Sequence, residues 1–309
     1  MDRVTTFSTY NSVINNLLTA ENRQSQAQDQ ISSGKVATDL QGYAANAEAL
    51  TATQTLMTRV TGYVQNSKSL QTRLQTQDVA LTQVSDAGAQ ARVAIANAIA
   101  NGNAEGLMAE LGSYLGQAAA ALNTQQDGQY LFSGGKVNTP PVAANSLQDL
   151  LTPPPGGVFQ NGQLVPTAQL DEATSLQTGQ LASDIGQPLF NALAAIAAYD
   201  QSGSGPLNGP LTQTQVQFLT NALGSFDSAN KQLTDAVANN GLAQNRVSQS
   251  IDSQTNRQTS LQEILGSYTD VDMAEASSRL SQSQVAVQAS ARIFASLQNT
   301  SLLNYLPNG

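Results

Sequence analysis

The sequence predicts a mainly α protein: an elongated antiparallel helical bundle or coiled coil made by both chain ends, with a small irregular or β-containing central insert. Three observations carry this. Nine of the ten prolines fall between Pro140 and Pro210, the tenth being Pro307, and proline costs about 3 kcal/mol or more in a helix interior. Two Pro-free arms, 1–139 and 211–306, flank that stretch. Both arms carry apolar residues at alternating spacings of three and four, the signature of a coiled-coil seam.

The spacing predicts a first helix over 11–32, with Val13, Leu17, Ala20, Ala27 and Ile31 facing one way and Gly34 in the C-cap position. Residues 35–47 are Ala-rich and ambiguous. From Ala49 a long seam runs through Leu56, Val60, Tyr63, Ser67, Leu70, Leu74, Gln77, Leu81, Val84, Gly88, Ala91, Ile95 and Ala98. Such a helix of some 50 residues spans roughly 75 Å. Asn101-Gly102 ends it, and a shorter helix, 105–123, folds back. Periodicity is lost from Asp127 to Pro210. There, runs 128–132 and 157–165 read as short strands, with Asn161-Gly162 a hairpin turn between candidates, and 188–199 reads as a short helix with Pro188 in its first turn.

The next long helix carries Val216, Leu219, Leu223, Phe226, Asn230, Leu233, Val237, Asn240, Gln244, Val247, Ile251, Gln254, Gln258, Leu261 and Leu265. Its polar members weaken the seam while restricting its register. A last helix places Met273, Leu280, Val287 and Phe294 seven residues apart, and Leu297, Leu302, Leu303 and Leu306 follow. The seams of 49–123 and 211–265 can close within one molecule. The end helices, 11–32 and 272–306, extend past that bundle, and a two-helix hairpin alone is marginal. They are therefore expected to be completed by neighbouring subunits.

Composition excludes several functions. Charged residues are only 11%, with 13 Lys+Arg against 22 Asp+Glu and a net charge of −9. Without a basic cluster, phosphate-driven nucleic-acid binding and attraction to anionic membranes are disfavoured. The chain has no Cys, His or Trp, which removes disulfides, thiolate metal sites, His-based triads and zincin motifs. It has no apolar run of the roughly 18 residues a membrane helix needs, so the expectation is a soluble chain without membrane insertion. Residues 1–20 lack the apolar run of a secretory signal; any export is expected to use no cleaved signal peptide.

Asp270, Asp272 and Glu275 cluster at the start of the last helix. Carboxylates this close suit a hard cation or acid–base work, but Asp272, three residues before Glu275, fits a capping-box-like helix start. Capping is the expectation, with no catalytic, metal or cofactor residues assigned. Ser33-Gly34-Lys35 lacks the glycine spacing and preceding strand of a phosphate loop and reads as a helix end. The glycine-rich stretch 203–210 reads as a linker.

Four blocks resemble the hook-associated protein 3 family, whose members join the bacterial flagellar hook to the filament. Arg3-Val4-Thr5-Thr6 with Gln30-Ile31-Ser32-Ser33-Gly34-Lys35 resembles the family's opening helix and its Q-I-S-S-G-K. Gly128-Gln129-Tyr130-Leu131-Phe132-Ser133-Gly134 is similar to its G-R-Y-L-F-S-G, with Thr139-Pro140-Pro141 after it. Asp270-Val271-Asp272-Met273-Ala274-Glu275 resembles the flagellin-like D-V-D-x-A-E, and Ser278–Leu306 resembles the family's C-terminus. The chain departs after Lys35, with Thr38-Asp39-Leu40-Gln41-Gly42 where the family often has S-D-D-P, and 140–210 does not match.

The resemblance implies a non-enzymatic structural subunit outside the cell, exported unfolded through the flagellar type III apparatus with a cytoplasmic chaperone over its C-terminal helix. It implies a homo-oligomeric ring seated on hook-associated protein 1, with flagellin stacked above. The expected domains are 1–45 with 265–309 for assembly, 46–130 with 211–264 as the bundle, and 131–210 as a small outer domain. The expected assembly interface comprises Val13, Leu17, Ile31, Met273, Leu280, Val287, Phe294, Leu297, Leu302, Leu303, Tyr305 and Leu306. The alternative is flagellin itself, although the flagellin run L-S-S-G-L-R-I-N-S-A-x-D-D-A-A-G is missing after Gly34. A flagellin carrying a metalloprotease insert fails for want of His, and glycan recognition by 140–210 has no aromatic cluster behind it.

Overall fold

Helix dominates the architecture. A computed structural model describes residues 2–299 and contains, in chain order, α1 (Asp2–Ser33), a 3-10 turn (Gln41–Asn46), α2 (Ala47–Asn101), α3 (Leu107–Leu122), β1 (Gln125–Gln126), β2 (Gln129–Tyr130), α4 (Leu147–Leu151), β3 (Thr167–Gln169), β4 (Ser175–Gln177), α5 (Ala182–Asp200), α6 (Gln213–Thr269) and α7 (Met273–Asn299). Two compact units are formed, one from 1–59 with 257–309 and one from 60–256.

In the 60–256 unit the seam read from the sequence is the buried face of α2. Val60, Leu74, Leu81, Val84, Ala91 and Ile95 are all at most 2% exposed. The facing row of α6 buries Leu219, Phe226, Leu233 and Val247. The two helices run antiparallel, with Arg92 on Asp227 and the Asn240 amide donating to the Leu74 carbonyl at 2.9 Å. Gly88 lies against side chains of α6, since a Cβ there would stand 2.5 Å from the Asn230 oxygen and 3.2 Å from Leu233. Helices α3 and α5 complete the main core through Leu111, Leu115 and Leu122 and through Leu189, Leu193 and Ile196.

A second, smaller apolar cluster forms where Leu170 and Leu176 of the β3–β4 hairpin cover Leu70, Leu74, Ala243 and Val247. Between the clusters in sequence lie Gln77 and Asn240, both buried. Asn240 is partly satisfied through Leu74 and Asp78, whereas neither amide atom of Gln77 has a hydrogen-bond partner. The polar members of the seam thus interrupt an otherwise apolar core.

The segment around 131–165 differs from expectation, and tertiary bonds explain how. The first hairpin turns at Asp127-Gly128, both in the left-handed region (φ 52° and 75°), as a tight two-residue turn requires. Asn161-Gly162 turns no hairpin. Its groups bind elsewhere: the Gly162 N–H donates to the Ser133 carbonyl at 2.8 Å, and Asn161 bonds the Ser183 backbone and hydroxyl at 3.1 Å each. Helix α5 starts at Ala182, earlier than Pro188 suggested. Its first N–H groups, normally without helical partners, are taken by the Phe132 carbonyl (3.0 Å) and the Asn161 side chain. Phe132 and Ser133 are fully buried, so the Gly128–Gly134 block is the hub that ties these loops to the core.

In the other unit, α1 begins before Asn11 because 2–10 hold no Pro or Gly to stop it. Gly34 (φ 70°) ends it, donating to the Gln30 carbonyl at 2.9 Å. The ambiguous segment after it is ordered by local bonds: the Gly42 N–H donates to Asp39 at 2.8 Å and the Tyr43 hydroxyl donates to the Ala37 carbonyl at 2.7 Å.

Candidate assembly surface

The end helices α1 and α7 pack antiparallel against each other within one chain. Tyr10 meets Phe294 at one end, ring centroids 5.2 Å apart, and Lys35 meets Asp270 at the other. On α1 the inward row is Tyr10, Val13, Leu17, Ala20, Gln24, Ala27 and Ile31. On α7 it is Ala276, Leu280, Ser283, Val287, Ser290, Phe294 and Leu297. Only the small members, Ala20, Ala27, Ala276 and Ser283, are buried, while the large ones stay half-buried. Small side chains let helix axes approach closely, which leaves the larger residues at the flanks of the contact.

The expected interface residues Val13, Leu17, Ile31, Leu280, Val287, Phe294 and Leu297 therefore line one seam, and α1 and α7 supply each other's partner. Met273 stands off it, 48% exposed in the first turn of α7. Leu302, Leu303, Tyr305 and Leu306 lie outside the described residues. Beyond the seam, the pair exposes Leu18 (52%), Val285 (66%) and Ile293 (52%). Sequence reasoning missed these three. The signal was available, because Leu18 adjoins Leu17 and Val285 and Ile293 sit beside seam members Val287 and Phe294, giving each helix more apolar residues than one seam uses.

Two of the sequence blocks meet in a clasp. The Val36 N–H donates to the Thr269 carbonyl (2.8 Å), the Val271 N–H to the Gly34 carbonyl (3.1 Å), and the Lys35 ammonium bonds the Asp270 carboxylate (2.6 Å) and the Thr269 hydroxyl (3.2 Å). The hydrogen bond from Lys35, then that from Thr269, holds the Asp270 carboxyl below its ordinary pKa. Asp272 caps α7 by accepting from the Ala274 and Glu275 N–H groups at 2.8 and 3.1 Å. Glu275 pairs instead with Arg279, one turn on. The three acids thus have three separate structural partners. Among the described residues no group of three or more His, Cys, Asp or Glu is placed to hold a metal ion, and no helix is long and apolar enough to cross a membrane.

Comparison with known proteins agrees with this geometry. Residues 223–306, which include most of α6 and all of α7, match the bacterial flagellin C-terminal helical region. No curated protein matches the chain by sequence. A putative flagellar hook-associated protein from Vibrio parahaemolyticus superposes with a TM-score of 0.60 at 17% identity, covering 72% of this chain and 97% of its own. FlgL from Bacillus cereus superposes with a TM-score of 0.53 at 15% identity, covering 71% and 99%. At such identities the likeness is one of fold. The chain thus matches the flagellin C-terminal helical region over 223–306 and shares the fold of these FlgL-type hook-associated proteins.

Proposed function

We propose that this chain is a structural subunit of the bacterial flagellum, outside the cell, forming the junction ring between hook-associated protein 1 and the flagellin filament. The observation that carries it is the α1–α7 pair, which closes its own seam yet leaves Leu18, Val285 and Ile293 facing outward. Two of these lie in the stretch that matches the flagellin C-terminal helical region. Burying such side chains contributes about 1.5–3 kcal/mol each, and a second copy of the same pair offers the complementary apolar surface. The role is structural and needs no reacting group. Export by the type III apparatus without a cleaved signal peptide, with a chaperone over the C-terminal helix, belongs to the same proposal.

The alternative is a flagellin or minor flagellin of the filament itself, since the C-terminal match is to flagellins. Antibody labelling of purified flagella separates the two: label confined to the hook junction supports the ring, and label along the filament supports flagellin. A second test uses Val285→Asn with Ile293→Asn. Because both side chains are more than half exposed, the monomer should melt as before while cells bear hooks without filaments. Normal filaments in these cells would refute the assembly role of this face.

A further inference from the structure

Four Asn-Gly pairs lie among the described residues: Asn101-Gly102, Asn161-Gly162, Asn208-Gly209 and Asn240-Gly241. Such pairs are chemically labile, because glycine has no Cβ to shield its backbone nitrogen, and that nitrogen can attack the asparagine side-chain carbonyl carbon. The fold protects three of them. Gly102 donates its N–H to the Ile99 carbonyl at 3.1 Å. Gly162 donates to the Ser133 carbonyl at 2.8 Å, and the Asn161 side chain is held at both ends. Gly241 lies inside α6, where its N–H belongs to the helix ladder.

The fourth pair has none of these restraints. Asn208 is exposed, and among the described residues its side chain has no hydrogen-bond partner and the Gly209 N–H is donated to no group. The backbone on both sides is nonetheless anchored. The Leu207 N–H donates to the Asp200 carboxylate at 2.7 Å and its side chain is buried, while the Gly209 carbonyl accepts from the Ala104 N–H at 2.8 Å. With the Leu211 N–H on the Gly102 carbonyl, also at 2.8 Å, these bonds clip segment 207–211 to the end of α2.

We infer that, among the described residues, Asn208 is the site of spontaneous deamidation in the folded protein, and that the reaction loosens this clip. The Gly209 nitrogen forms a bond to the Asn208 side-chain carbonyl carbon, the bond to the amide nitrogen breaks, and ammonia leaves with the proton shed by Gly209. Water then opens the five-membered ring. Opening at the side-chain carbonyl yields aspartate, and opening at the main-chain carbonyl yields isoaspartate. Isoaspartate routes the chain through the side-chain carbon, lengthening the backbone between two fixed anchors, and either product adds a negative charge. The inference is independent of where the protein assembles.

The test incubates the full-length protein, folded and in urea, at mildly alkaline pH. Peptide mapping with tandem fragmentation follows each asparagine, and enzymatic methylation detects isoaspartate. In the folded protein Asn208 should convert at least about tenfold faster than Asn101, Asn161 or Asn240, which react only through local opening. In urea the four should react at similar rates. Aged protein should also show faster hydrogen exchange at the Ala104 and Leu211 amides. Similar rates at all four sites in the folded protein, or a faster site among the other three, would overturn the assignment. Unchanged exchange at Ala104 and Leu211 after full conversion would overturn the loosening of the clip.

Discussion

Lys35 and Asp270 lie 235 residues apart and form an ion pair at 2.6 Å, fastening the end of α1 to the junction of α6 and α7. Both side chains are about half exposed (49% and 59%), so the pair adds modestly to stability and is weakened by salt. Its main effect is positional, because the two backbone bonds beside it set where α1 and α7 enter their shared seam.

Asp270→Asn should lower the melting temperature slightly at neutral pH and hardly at all in high salt. Because the folded Asp270 carboxyl sits below its ordinary pKa, its contribution is complete above that ordinary value and lost as pH falls through the lower folded one. Melting curves of the two proteins over an acid series should therefore converge at the acid end. A difference that persists undiminished to the acid end would contradict the assignment of Lys35 as the cause.

Phe294→Ala removes the contact with Tyr10, an aromatic pair worth roughly 1 kcal/mol beyond its buried area. Faster amide exchange in α1 and α7 is expected, with the 60–256 unit unaffected. Leu74→Ala, at a side chain only 1% exposed, should cost the 60–256 unit about 2–5 kcal/mol. Amide exchange followed by mass spectrometry reads both units in one experiment.

Gln77→Leu should stabilise the protein by about 1–3 kcal/mol, since it removes two buried amide atoms that lack partners and joins the two apolar clusters. Asn240→Leu should not do so, because it also strips a hydrogen bond from the Leu74 carbonyl. Urea denaturation midpoints distinguish these outcomes.

Gly134→Ala should destabilise by about 2–4 kcal/mol, because its φ is 62° and an added Cβ would stand 2.7 Å from the Gly162 carbonyl and 2.8 Å from Leu181. Gly62→Ala, in α2 with nothing within 4 Å, should instead stabilise by up to about 1 kcal/mol. Thermal melts of the pair provide the comparison.

Much of the fold was legible in the sequence. The three-four spacing from Val60 to Ala98, and from Leu219 to Leu261, coincides with the buried faces of α2 and α6, because a helix has one period and a seam must follow it. Gly34, Asn101-Gly102 and Asp272 marked helix ends through local backbone chemistry that needs no distant partner. The hub at Phe132 was less legible. A short block without periodicity shows its burial only once the Asn161 loop and the start of α5 close over it.

By itself, then, the sequence determined the long helices, most of their buried faces and the capping role of Asp272, since these depend on residues within a turn or two of each other. Tertiary structure alone decided that Lys35 pairs with Asp270, that α1 and α7 supply each other's seam, and that Asn161-Gly162 tethers a loop while Asp127-Gly128 turns a hairpin. It also decided which apolar residues remain outward. Leu17 and Leu18 are the same residue type one position apart, and only the rotation of α1 against α7 separates a seam residue from an exposed one.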